Sequence, residues 1–162
     1  MRWLHGDPVP SGATVFRLAC SSDGKVPPEA FALSSEDRRQ EVPRLSMWHE
    51  GSTAVAQAHN ILGRTKNVAG FLAVDAIRML RPDLDDPAVK NLEVEWETAL
   101  AQLPDGGIAR SLAPGAEGHC GLRGLDQGGN GKQDSQKRKS LRAQLARLAN
   151  RRVVNIERSA DS

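Results

Sequence analysis

The chain holds no tyrosine, three tryptophans and three phenylalanines in 162 residues. A core so poor in rings must be built from Leu, Val, Ile and Ala, and each of the six aromatics then carries a large share of it. Cysteine is scarcer still. Cys20 and Cys120 stand 100 positions apart, a spacing that demands no disulfide and matches no zinc pattern. No run approaches the roughly 18 consecutive apolar residues of a membrane span. His5 and Asp7 also interrupt the apolar stretch that a secretory signal would need at the N-terminus. The expectation is a soluble, cytoplasmic chain with free thiols and no membrane association.

Signature motifs are missing as well. The sequence contains no P-loop, no Gly-x-Ser-x-Gly elbow, no Rossmann fingerprint and no zinc spacing. Gly128-Gly129-Asn130-Gly131-Lys132 has glycines and a lysine, but it lacks the following Ser or Thr and the flanking strand. It is rejected as a nucleotide site. No cofactor and no metal are expected.

What is present is a division of charge. Residues 1–131 hold 13 Lys/Arg against 17 Asp/Glu, whereas residues 132–162 hold 9 against 3. A net charge of +2 thus conceals an acidic body and a basic tail. The sequence divides accordingly into an acidic body over 1–125, a Gly-rich hinge over 126–131 and a basic helical tail over 132–162.

Within the body, strand formers alternate over Ala13–Ala19 and recur at Leu45–Trp48 and Val68–Val74. Leu92, Val94 and Trp96 alternate with Glu93, Glu95 and Glu97, the pattern of a strand with one apolar and one solvated face. Pro27–Leu33 fits one helical turn, and Ser34–Arg39 reads as a solvated, capped start to another short piece. Ser52 or Thr53 can cap a helix carrying Val55, Ala58, Ile61 and Leu62, closed by Gly63. A turn of helix follows the third strand over 75–80. The stretch from Pro104 to Gly131 holds nine glycines and reads as loop, with only Cys120–Leu122 extended. Ser135–Asn150 reads as a helix with Leu141, Leu145 and Leu148 on one stripe, and Val153–Ile156 as an edge strand. Short strands and two main helices without βαβ alternation predict an α+β fold: a small mixed or antiparallel sheet plus the basic C-terminal helix.

Two groups of residues carry candidate chemistry. Lys137, Arg138, Lys139, Arg142, Arg147 and Arg151 give the tail helix a face suited to nucleic acid or to an acidic protein, where each neutralised phosphate adds salt-dependent affinity. The bland alternative is that the helix docks by its leucines on its own acidic body and pairs its charges there. Its three leucines are too few for a coiled coil. The second group is His49 and Glu50 at a strand end, His119 in a Gly-flanked loop and Arg17 on the first strand. If they converge on a cleft, they suit a small toxin-like effector enzyme, a transferase or nuclease. Cys120 beside His119 is expected to be a buried apolar residue facing the other way.

Overall fold

A computed structural model of the chain describes residues 6–62, 65–97 and 116–156. Gly63, the Pro104–Gly115 part of the expected loop and the chain end after Ile156 lie outside the described residues. The fold is α+β. Strands β1 (Thr14–Ala19), β2 (Arg44–His49), β3 (Val68–Ala73), β4 (Glu93–Trp96), β5 (His119–Arg123) and β6 (Val153–Asn155) form one sheet in the order β4-β5-β2-β1-β3-β6. Every neighbouring pair is antiparallel. The helices are α1 (Ser35–Arg39), α2 (Val55–Ile61), α3 (Val74–Arg78) and α4 (Lys132–Ala149), with 3₁₀ turns at Pro28–Phe31 and Ala116–Gly118.

Strand alternation sorts side chains onto two faces. On one lie Val15, Leu45, Met47, Leu72, Val94, Trp96, Cys120 and Leu122, all buried in one cluster with Leu141, Leu145, Ala146 and Ala149 of α4. The basic helix is therefore part of the main core, docked by its small and aliphatic residues. Gly70 sets how closely it docks. A Cβ on Gly70 would lie 2.6 Å from Val26 Cγ2 and 2.8 Å from Ala149 Cβ, so only a glycine lets the helix end sit this near β3. Asn150, just past the helix, exchanges two hydrogen bonds with the backbone of Val26.

On the opposite face Phe16, Leu18, Trp48, Ala69 and Phe71 pack under Ala58 of α2. This aromatic cluster covers only the β2-β1-β3 side. Toward β5 and β4 the same face becomes polar, presenting Ser46, His119, Gly121, Arg44 and Glu95, as the register dictates.

Three local features differ from the sequence reading. The glutamate row of β4 is not a solvated face: Glu95 is 8% exposed. Cross-strand arginines cover it, since Arg44 donates to Glu95 Oε1 from Nε and Nη2 at 3.0 and 2.8 Å, and Arg123 reaches Oε2 at 3.3 Å. The second difference is the start of α2. Ser52 is engaged by His49 Nδ1 at 2.7 Å and Thr53 accepts from Gly118 N at 2.8 Å. With both hydroxyls occupied, the N-cap falls to Ala54, whose N–H donates to the Gln57 side chain. Third, β5 runs from His119 to Arg123 and sits between β2 and β4 as a full partner of both. Its glycine at 121 hid a strand that is buried by tertiary pairing.

Candidate functional site

The four residues singled out for chemistry in the body are distributed over both sheet faces. Trp48 and His119 are register partners, and their rings lie 4.8 Å apart on the face of the aromatic cluster. His49, the next residue, points to the other face, with its ring edge-on to Trp96 at 5.1 Å. Burial holds the His49 imidazole below its ordinary pKa of 6.5. Glu50 turns toward the end of the chain and pairs with Arg152 through two contacts of 2.5 and 3.1 Å. Arg152 also stacks 4.0 Å over the Phe71 ring. Arg17 shares the face of the main core, where its Nε and Nη1 donate to the carbonyls of Ala30 and Ser46, each at 2.8 Å. Burial lowers its pKa to about 10, which leaves it ionised at neutral pH. Its hydrogen bonds join the 3₁₀ turn to β2.

His119 has chemically useful neighbours that the sequence reading missed. Its Nε2 shares a 2.5 Å hydrogen bond with Ser46 Oγ, two positions along the facing strand. Its Nδ1 faces the Glu97 carbonyl at 3.4 Å. A carbonyl only accepts, so in that tautomer Nδ1 carries the proton and Nε2 accepts from the serine hydroxyl. That orientation is the one by which an imidazole draws a proton from a nucleophilic hydroxyl. The Glu97 side chain lies beside this pair. Burial raises its carboxyl from 4.5 to about 7, outweighing the opposing pull of Arg44. The cluster thus holds a hydroxyl, an imidazole and an acid that titrates near neutrality.

The glycines around His119 serve this packing. A Cβ on Gly121 would meet Glu97 Oε1 at 2.1 Å and Arg44 Cβ at 2.6 Å, so its bare backbone makes room for both side chains. A Cβ on Gly118 would fall 2.6 Å from Thr53 Oγ1 and 2.9 Å from the His49 carbonyl. The close approach allowed by these glycines is to the protein's own groups. Cys120 points into the main core, fully buried, and its thiol pKa is pushed well up by desolvation; Cys20 is exposed, and neither is in a disulfide. His59, on the buried side of α2, donates to the Lys66 carbonyl at 2.9 Å. Among the described residues, no group of three His, Cys, Asp or Glu is placed to hold a metal.

The six basic residues of the tail divide by direction. At the 100° step of a helix, Arg138 and Arg142 fall on the side of Leu141 and Leu145. Both are half-buried, and Arg138 donates to the Gln127 carbonyl at 3.1 Å. Lys137 lies 4.0 Å from Asp85. Lys139, Arg147 and Arg151 are exposed. Among the described residues, none of Arg138, Lys139, Arg142, Arg147 and Arg151 has a carboxylate within 4.0 Å. The one acid of the helix, Asp134, is used locally, accepting from Gly129 N at 2.8 Å.

A concavity of about 630 Å³ opens beside β4 and β5, lined among others by Arg78, Glu93, Glu95 and Arg123. Both of its arginines are paired, Arg78 with Glu93 at 2.5 Å and Arg123 with Glu95 at 3.3 Å, and Glu41, Lys90 and Asp126 also line it. No described helix is long and apolar enough to cross a membrane. Compared with known proteins, the chain matches no family model, no curated protein and no solved structure.

Proposed function

We propose that the chain is a binding or accessory module whose C-terminal helix engages the phosphate backbone of nucleic acid, in a cytoplasmic setting. The observation that supports this reading is the solvent side of α4. Lys132, Gln136, Lys139, Ala143 and Arg147 follow one another at steps of three or four residues, so they share one side of the helix. That stripe contains no acid, and Arg151 continues it just past the helix end. The docking of α4 by Leu141, Leu145, Ala146 and Ala149 leaves these cations facing water. An unpaired row of cations on a rigid helix is suited to phosphates. Gln136, exposed between two of the lysines, adds a donor and an acceptor for sugar or base edges, and the small Ala143 lets a backbone lie close to the helix.

The test uses the full chain, because α4 contributes to the core. Fluorescence anisotropy with a labelled duplex is compared for the natural protein and a Lys132→Gln, Lys139→Gln, Arg147→Gln, Arg151→Gln variant. These four positions are exposed. With four phosphates neutralised, log affinity is expected to fall against log salt with a slope of about −3 to −4, and the variant is expected to lose at least about tenfold in affinity at low salt. No binding at low salt, a flat salt dependence or an unchanged variant overturns the proposal. Binding of a polyglutamate in place of DNA or RNA would assign the stripe to an acidic protein partner instead.

A second reading, a small effector enzyme, is favoured by one observation, the 2.5 Å Ser46–His119 contact beside the half-neutral Glu97. It differs from the His49, Glu50, His119 and Arg17 constellation in retaining only His119. If the pair is a nucleophile and its base, a fluorophosphonate probe phosphonylates Ser46 with loss of fluoride, and His119→Ala abolishes the adduct. Absence of an adduct by mass spectrometry, or labelling that survives His119→Ala, removes this reading.

A further inference from the structure

Two half-buried arginines of α4 share a pocket with an exposed arginine from another element. Arg38 of α1, Arg138 and Arg142 line a pocket of about 260 Å³ whose wall also includes Asp126, Leu33 and Pro43. Arg38 and Arg142 make no side-chain hydrogen bond or ion pair within the described residues, and Arg138 uses only Nη1, on the Gln127 carbonyl. Three arginines lining one concavity carry like charge, and Asp126 is the one acid among the residues that line it. The remaining excess of two positive charges is an arrangement that a bound anion stabilises. The neighbouring 630 Å³ concavity shares Pro43 and Asp126 with this pocket, but both of its arginines are held in ion pairs with glutamates.

Residue type narrows the anion. Guanidinium is planar, stays ionised and presents N–H donors in a fork matched to two oxygens of a phosphate or carboxylate. Three such forks from two helices surround a tetrahedral group better than a planar one, and the net excess matches a phosphomonoester dianion. The volume lies just below the roughly 300–1,000 Å³ of drug-sized pockets. It admits a phosphate with a small ester group, for which Leu33 and Pro43 supply apolar wall. Gly128, with φ +98°, also lines the pocket, and a Cβ there would fall 3.0 Å from Arg138 Nη1, so the glycine leaves room for that side chain.

We propose that Arg38, Arg138 and Arg142 form a binding site for a small phosphomonoester, separate from the solvent stripe of α4. The site and the polyanion-binding stripe use different residues, so each can fail without the other.

The experiment is calorimetric titration of the full chain with phenyl phosphate, with benzenesulfonate as a singly charged control of similar shape. Arg38→Gln with Arg142→Gln removes two of the three arginines at positions free of internal hydrogen bonds, so the fold has no reason to change; circular dichroism verifies this. The expected result is saturable binding of phenyl phosphate, at least tenfold weaker in the double variant, tenfold weaker for benzenesulfonate, and unchanged in the Lys132/Lys139/Arg147/Arg151 glutamine variant. Absence of saturable binding at millimolar phenyl phosphate overturns the proposal. So does equal affinity in the folded double variant, and so does equal affinity for benzenesulfonate.

Discussion

At Glu97 the side chain's ordinary chemistry is set aside by where the strand puts it. Its carboxyl is desolvated above Gly121, and its pKa rises from 4.5 to about 7. Between those values the folded state retains a proton that the unfolded state has released, so this residue's contribution to stability falls as pH rises from 4.5 to 7. Above 7 the whole cost of holding a buried carboxylate is present. Glu97→Gln removes that cost, and the expected gain is on the order of 1–3 kcal/mol at about pH 8 and close to none at about pH 4. Urea melts at the two pH values measure it. A gain of equal size at both would show that packing, not ionisation, accounts for the effect. None of this is visible in the sequence, where the row of three glutamates reads as a wet face. Which acids are covered depends on Arg44 and Arg123, residues 51 and 28 positions from Glu95 that arrive only through strand register.

Among the elements, those built from local patterns are the ones read most directly. The alternation in β1 and β4, the capping box of Ser34 and Asp37, and the leucine spacing of α4 all follow from neighbours a few residues away. β5 was nearly lost, because Gly118 and Gly121 signal a loop. Both glycines are there for close approach, one to Thr53 and one to Glu97 and Arg44. α4 was legible as a helix, but its place in the core was not. Leu145 is completely buried, so Leu145→Ala is expected to cost about 2–5 kcal/mol. Trp48 and Trp96 report on the sheet and far-UV ellipticity reports largely on α4, the longest helix described. The two signals should move together in denaturant. If Leu145→Ala shifted the ellipticity midpoint alone, α4 would be a separable element and not part of the core.

Across the whole molecule, the charge division acquires a direction. An acidic body and a basic tail invite the expectation that one neutralises the other. Between them the described residues show two ion pairs, Lys137 with Asp85 and Arg152 with Glu50. The body's glutamates on β4 are taken by the body's own arginines, Arg44, Arg78 and Arg123. The tail's remaining described cations have no ion pair among the described residues; Lys132, Lys139, Arg147 and Arg151 are exposed, and Arg138 and Arg142 line the pocket shared with α1. Composition, periodicity and capping are local properties, and from them alone come the α+β class, the separation of charge along the chain and a C-terminal helix, read at Ser135–Asn150 and found at Lys132–Ala149. Tertiary structure alone decided that Ser46 meets His119, that Arg17 is buried, and that Arg38 joins Arg138 and Arg142. Each of these depends on contacts between residues far apart in the chain, whose register is fixed by packing and hydrogen-bond pairing of whole strands and helices.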